Sequence, residues 1–480
     1  MAFDSLPSEA AGPPLPPDAP PGFWRSVGDA LRGVQQDYTQ GSIGRAILLL
    51  SIPMVLEMVM ESLFAVVDIF FVSKLGPDAI ATVGLTESLL TLIYALAIGL
   101  SMATTAMVAR RVGEKDLPGA GVAAVQAIGL GVLIAVPISL FGVFEAPTLL
   151  RLLGASESVI ATGRSYTAIM FGGSATVFLL FLVNAVFRGA GDPAIAMRSL
   201  WLANLFNILL GPCFIFGLGP FPELGVTGAA VGTTIGRGLG VAYQVAALAR
   251  SHGRLTIRWQ HLRLDPAVMG RLLRVSGPGM FQFLIATASW VGLVRIISLF
   301  GSAAVAGYTI ALRVVMFTIL PSWGMSNAAA TLVGQNLGAG RPDRSELSVW
   351  RTGLYNMLFL GSVGVFFIVF AEPVVGLFTS DPQVLRYGVE CLRLISYGYP
   401  FYAWGMVMVQ AFNGAGDTWT PTWINFCCYW LFQIPLAWTL ARPLGMEASG
   451  VFWAIAIAES MLAVAGMLAF RRGRWKGRKI

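Results

Sequence analysis

Three carboxylates stand in one apolar run of the chain: Glu57, Glu61 and Asp68, spaced 4 and 7 residues apart. At 100° per residue, a helix places all three within about 40° of one another on one face. Inside a membrane each would cost roughly 2.5–3.5 kcal/mol at mid-depth, so the stripe must face protein or a wet cavity. Crowded, desolvated carboxylates are the groups that exchange protons near neutral pH. Unprotonated, the stripe would attract a cation; protonated, it would let its helix bend at Pro53 and repack. Alternatively, Glu57 and Glu61 lie near a helix end, solvated or paired with a basic residue.

Other chemistries are poorly served. His252 and His261 are the two histidines and share a basic segment, which speaks against a histidine-ligated metal or a Ser-His-Asp triad at membrane depth. Cys213, Cys391, Cys427 and Cys428 show no CxxC spacing and read as small buried apolar residues. Two Gly-Ala-Gly-Asp elements lack the Lys-Ser/Thr of a P-loop, so they read as tight turns whose Asp caps the next helix. No enzyme and no cofactor is expected. Glu87 could border the same cavity as the stripe, or lie near the outer surface. Arg237 and Glu459 could pair across the molecule, whereas Arg295 and Arg313 suit structural roles. Phe64, Met58, Met316, Trp323, Trp404 and Met408 could line a pocket for flat organic cations, although most such residues merely pack.

The elements that must position these residues are membrane helices. Hydrophobic residues make up 56% of the chain and charged ones 12%, about half the usual charged share of soluble domains. Apolar stretches long enough to span recur six times between about 46 and 249, and six times between about 268 and 470. An all-α integral membrane protein with about twelve transmembrane helices follows. The net charge of +7 reflects topology, not nucleic-acid binding. With both termini placed in the cytoplasm, 23 of the 32 Lys and Arg fall inside, six outside and three within spans.

The chain also repeats itself. Gly99-Leu-Ser-Met-Ala returns as Gly324-Met-Ser-Asn-Ala, and Phe187-Arg-Gly-Ala-Gly-Asp192 as Phe412-Asn-Gly-Ala-Gly-Asp417. Pro53 and Pro278 share the offset of 225 residues, as do Gly76 and Gly301. Six spans per half give two pseudo-symmetric six-helix bundles in parallel orientation, with the substrate site between them. The expected divisions are a disordered cytoplasmic tail (1–40), an N-terminal lobe (41–250), a cytoplasmic linker (251–267), a C-terminal lobe (268–471) and a basic cytoplasmic tail (472–480).

From about residue 40 to 470 the chain resembles the multidrug and toxic compound extrusion (MATE) family, in its DinF-like branch. The resemblance rests on Pro53-x14-Asp68, the paired FxGAGD motifs and Val333-Gly-Gln-Asn-Leu-Gly-Ala339. It implies an ion-coupling network of Asp68, Tyr166, Asn184 and Asn207, to which the stripe adds Glu61. The branch's second acidic position on the fifth span is Gly211 here, a lost oxygen ligand that should weaken a sodium site. The substrate cavity is expected at Glu57, Glu61, Phe64, Glu87 and Met316. The expected function is efflux of amphipathic, often cationic, compounds by proton antiport, with sodium possible and alternating access between the lobes. A lipid or lipid-linked oligosaccharide flippase of the same superfamily is the alternative. The expected setting is the inner-membrane bilayer, the expected state a monomer, with a small organic molecule and a proton or sodium ion as partners.

Overall fold

The long apolar runs form helices, and their boundaries follow local chemistry. A computed structural model describes residues 22–250, 255, 257, 261 and 263–480. The N-terminal half holds α1 (Phe23–Arg32), α2 (Ile43–Ser73), α3 (Pro77–Gly113), α4 (Leu117–Leu152), α5 (Glu157–Gly172), α6 (Ser174–Ala190), α7 (Pro193–Phe216) and α8 (Val226–Ala249). The C-terminal half holds α9 (Pro266–Ile297), α10 (Ser302–Gly338), α11 (Pro342–Gly376), α12 (Pro382–Tyr397), α13 (Tyr399–Ala415), α14 (Trp419–Asn425), α15 (Ile434–Ala441) and α16 (Glu447–Arg471). A π-helical stretch, Phe426–Gln433, joins α14 to α15. Prolines open many helices where a backbone donor is dispensable, and Asp116, Asp265 and Asp381 cap α4, α9 and α12 through side-chain oxygens.

Among the described residues, nine segments are long and apolar enough to cross a membrane by length and composition. With α2, α8 and the broken α12–α13 pair they make two sets of six, as the sequence repeat predicts. The offset of 225 recurs in the starts of α3 and α10, α4 and α11, α5 and α12, and α6 and α13. It reaches backbone angles: Gly76 and Gly301, before α3 and α10, both sit at φ 98° with extended ψ, a conformation that excludes a Cβ.

The repeated glycines explain themselves at the seam between the lobes. Helices in lipid gain nothing from excluding water, so backbone proximity and close packing must hold them together. A Cβ on Gly99 would lie 2.8 Å from the Ser276 carbonyl of α9, and one on Gly324 would lie 2.5 Å from the Met54 carbonyl of α2. Nearer the termini, Gly113 of α3 packs on the Gln335 carbonyl of α10, and Gly338 of α10 packs on the Arg110 carbonyl of α3. Each pair repeats the other 225 residues on, so the pseudo-twofold axis passes between them. Gln335 Nε2 donates to the Gly189 carbonyl at 2.9 Å, and Thr331 Oγ1 to the Arg188 carbonyl at 3.1 Å, clasping the same end.

Both chain ends add to this clasp. Residues 22–40, expected to be disordered, instead contain α1, and its Ala30 packs with Tyr38 against Ile47, Leu50 and Leu332. Hydrophobic spacing in α1 gives it one apolar face, which outweighs the Pro- and Ala-rich context. Residues 1–21 of the expected tail, and 251–254, 256, 258–260 and 262 of the expected linker, lie outside the described residues. The basic C-terminal segment is docked: Trp475 is fully buried and stacks on Phe470 at 4.5 Å. Arg478 pairs with Asp417 at 3.0 Å, and its carbonyl accepts from Arg110 Nη2 at 2.7 Å, linking the lobes.

Candidate functional site

The FxGAGD turns set the geometry. Gly191 and Gly416 end α6 and α13 in the left-handed region, at φ 89° and 80°. Gly189 and Gly414 let the last helical turn approach neighbouring backbone, the Thr105 carbonyl at 2.9 Å and the Ala330 carbonyl at 2.3 Å from a built Cβ. The capping expected of the two aspartates is not seen: the Asp192 side chain caps no backbone N–H of α7, and Asp417 accepts from Thr420 Oγ1 and Arg478. Residue 188, inside the first turn motif, thereby faces inward.

A cavity of about 230 Å³ opens between the lobes at this depth. Glu57, Glu61, Phe64, Tyr94, Asn184, Arg188, Asn204 and Arg237 line it from one side, and Trp323, Asn327, Gln410 and Asn413 from the other. Glu57 Oε1 accepts from Asn184 Nδ2 at 3.1 Å and lies 3.8 Å from Arg188 Nη1, while Oε2 is buried without a partner. Glu57 is 2% exposed, so this ion pair is largely out of water. Pairing with a basic residue, one of the two readings of Glu57, is therefore what the structure adopts. Gln244 Nε2 donates to Asn184 Oδ1 at 2.6 Å and fixes the amide that holds Glu57. Glu61 Oε2 receives a long contact from Asn204 Nδ2, 3.5 Å.

The same contact exists, uncharged, in the other lobe. Gln282 and Asn413 stand 225 residues beyond Glu57 and Arg188. Gln282 Nε2 donates to Asn413 Oδ1 at 3.1 Å, and Asn413 Nδ2 to Gln282 Oε1 at 3.3 Å.

The carboxylate stripe divides along the helix. Glu57 and Glu61 line the cavity, but Asp68 does not; 11 residues at 1.5 Å per residue carry it about 16 Å from Glu57. Asp68 is half-buried and interacts through its charge with Glu87 and Arg237, and buried Tyr166 interacts with both carboxylates. Glu87, exposed, is not among the residues lining this cavity. Arg237 donates to Tyr94 Oη at 2.9 Å; Glu459 instead accepts from Tyr429 Oη at 3.1 Å, so the suggested Arg237–Glu459 pair is replaced by two tyrosine contacts. Asn207 donates to Thr233 Oγ1 at 2.6 Å, turned toward α8. A Cβ on Gly211 would meet only Asn207 Oδ1, at 3.7 Å.

Met316 lines a second cavity, of about 390 Å³, within the C-terminal lobe. Met102, Leu320, Trp323 and Gln410 border both cavities, which therefore adjoin. Met408 is fully buried in the core, and Trp404 packs on Trp350 and Gly353. Sequence reasoning missed Asn204, Arg188 and Tyr94. Asn204, on α7 at one turn before Asn207, carried the one available signal, helical spacing.

Comparison with known proteins places these features in a wider set. The MatE family profile matches residues 53–213 and again 278–439. A probable multidrug resistance protein NorM of Thermotoga maritima is 27% identical over 446 residues, covering 91% of this chain and 94% of that protein. An FAD transporter of Shewanella oneidensis is 26% identical over 395 residues, 82% of this chain and 87% of that one. Among solved structures, MATE in the straight conformation superposes with a TM-score of 0.86 at 26% identity, over 92% of this chain and 98% of that chain. A MOP superfamily transporter from Pyrococcus furiosus, described as having a binding pocket of reverse polarity, gives 0.86 at 26% identity over 93% and 99%.

Proposed function

The chain belongs to the MatE family, and on that premise we propose that it exports amphipathic, often cationic, organic compounds across the inner membrane by proton antiport. The observation that carries this reading is the buried Glu57–Arg188 pair at the wall of an interlobe cavity that is closed by backbone contacts at the end bearing the termini. The positive-inside bias makes that end cytoplasmic, so the cavity is read as open toward the outside. One chain supplies both lobes and both cavities, which suits a monomer.

The residues perform the cycle as follows. A proton taken up by Asp68 weakens its attraction to Arg237 and its repulsion with Glu87. A proton on Glu57 or Glu61 removes the charge on which Arg188, Asn184 and Asn204 converge. Either event changes the charge balance in the N-terminal lobe and its grip on a bound cation, the differential interaction that alternating access requires. α2 runs through Pro53 as one helix, and that proline removes one backbone hydrogen bond where the helix can bend. Gly211 leaves the fifth span without a carboxylate, which favours protons over sodium. The cavity sets two arginines against two glutamates and so lacks the strongly basic character that the flippase alternative calls for.

Transport of a fluorescent cation into everted vesicles, under imposed proton and sodium gradients tested separately, checks the reading. A proton gradient should drive uptake, and Asp68→Asn should reduce it tenfold or more. Unchanged uptake in Asp68→Asn would refute the coupling assignment, and stimulation by sodium alone would refute the choice of ion.

A further inference from the structure

The two cavities differ in charge. In the interlobe cavity the glutamates are accompanied by Arg188 and Arg237. Among the described residues, Glu459 is the sole charged one lining the C-terminal cavity, and no basic group lies within 4 Å of it. Glu459 is 6% exposed, and its Oε1 accepts from Tyr429 Oη at 3.1 Å. A second polar group faces the same space: Asn425, 7% exposed, whose Oδ1 has no donor. A carboxylate and a carbonyl oxygen, both buried, both acceptors and neither matched by a cation, leave a site short of positive charge and of hydrogen-bond donors. Around them stand Trp290, Tyr402 and Tyr429, whose ring faces attract cations. The volume, about 390 Å³, lies in the usual range for small-molecule sites of ~300–1,000 Å³.

We propose that the C-terminal cavity is a binding site for a lipophilic organic cation, with Glu459 as its counter-charge, Asn425 Oδ1 as a hydrogen-bond acceptor for protonated amines and the aromatic side chains as its walls. The sixth helix of each lobe then presents an opposite charge inward, Arg237 from α8 and Glu459 from α16. The proposal rests on the export reading for its biological meaning and deepens it: the cation is held in the lobe opposite the proposed coupling network, beyond Trp323 and Gln410, which border both cavities.

The test is equilibrium binding of tetraphenylphosphonium to the purified full chain in detergent, with no ion gradient. Glu459→Gln should weaken binding about tenfold or more, and Glu459→Asp, which keeps the charge, should bind more tightly than Glu459→Gln. Binding by folded Glu459→Gln equal to wild type would overturn the proposal. A second arm uses the wild-type protein and is independent of variant folding. Dicyclohexylcarbodiimide modifies carboxyl groups in apolar surroundings, and mass spectrometry locates the adduct. Saturating tetraphenylphosphonium should block the adduct at Glu459; modification of Glu459 undiminished by the cation would overturn the site. Because no gradient is applied, these results are independent of the Asp68→Asn vesicle assay, so each reading can fail while the other stands.

Discussion

Alanine at Gly113 or Gly338 should open the end of the molecule that carries the termini, and to a similar degree at either position. A Cβ at Gly113 would sit 2.0 Å from the Gln335 carbonyl oxygen, and one at Gly338 would sit 2.1 Å from the Arg110 carbonyl oxygen. Both obstacles are helix backbone, so α3 and α10 must part by roughly 1 Å, because a close-packed seam has no void to absorb the methyl. Overpacking of this kind costs about 1–3 kcal/mol. The better helix propensity of alanine, up to about 1 kcal/mol, acts on the closed and the separated arrangements alike and leaves this difference intact. A cost of 1–3 kcal/mol falling on the closed arrangement alone shifts its population about 5- to 150-fold. Spin labels on Glu114→Cys and Ala339→Cys, with the four native cysteines replaced, would report the distance across the seam. Each alanine variant should add a longer-distance population, and Gly84→Ala, where a Cβ meets nothing within 4 Å, should not. Unchanged distance distributions in both variants, or a change in only one, would refute the reciprocal seam.

Glu57→Ala should destabilise the folded protein by about 3–5 kcal/mol by stranding Arg188 without its partner, read as a lower thermal midpoint in detergent. Glu57→Gln should cost less, since the amide oxygen keeps an acceptor for Arg188 and Asn184 although the charge is lost. Deleting residues 473–480 removes the buried Trp475 and the Arg110–Arg478 link, and should lower the midpoint by up to the equivalent of about 3–5 kcal/mol. Within that tail, Glu346 accepts from Lys476 at 2.6 Å and, with Asp343, holds its ammonium above the usual lysine range. This exposed contact is worth about 0.2–1 kcal/mol; it is fully present below the ordinary lysine pKa near 10.4 and fades as pH rises through the raised value. Lys476→Gln should therefore shift the midpoint slightly at pH 7, and by less as pH rises through the raised lysine value. Gly211→Asp should fold, because a Cβ there meets only Asn207 Oδ1, at 3.7 Å, and should add sodium-stimulated transport to the vesicle assay.

The membrane class, the two sets of six and the place of Glu57 and Glu61 on a cavity wall were legible in the sequence. Each depends on a period or an offset that many residues share. Asp68 shares their face by angle, but the rise of the helix carries it clear of the cavity. Arg188 was harder to see. It stands in the last turn of α6, where a basic residue normally serves topology, and only the tight turn at Gly191 aims it inward. The docked C-terminal segment turns on one tryptophan in a basic run, which no periodicity announces. The π-helical stretch that carries Tyr429 toward Glu459 has no composition of its own.

The paired contacts Glu57–Arg188 and Gln282–Asn413 have a consequence of their own. A protonated glutamate and a glutamine differ by little more than an NH₂ in place of an OH, so Gln282 images Glu57 once it takes a proton, whereas Asn413 is neutral where Arg188 keeps its charge. In that image the two helices stay joined, by two amide hydrogen bonds of 3.1 and 3.3 Å. In the N-terminal lobe a proton on Glu57 leaves the Arg188 guanidinium uncompensated, so what changes there is the electric field across the cavity. The chain carries its own uncharged reference state, built into the same fold, against which the charged one can be compared residue by residue.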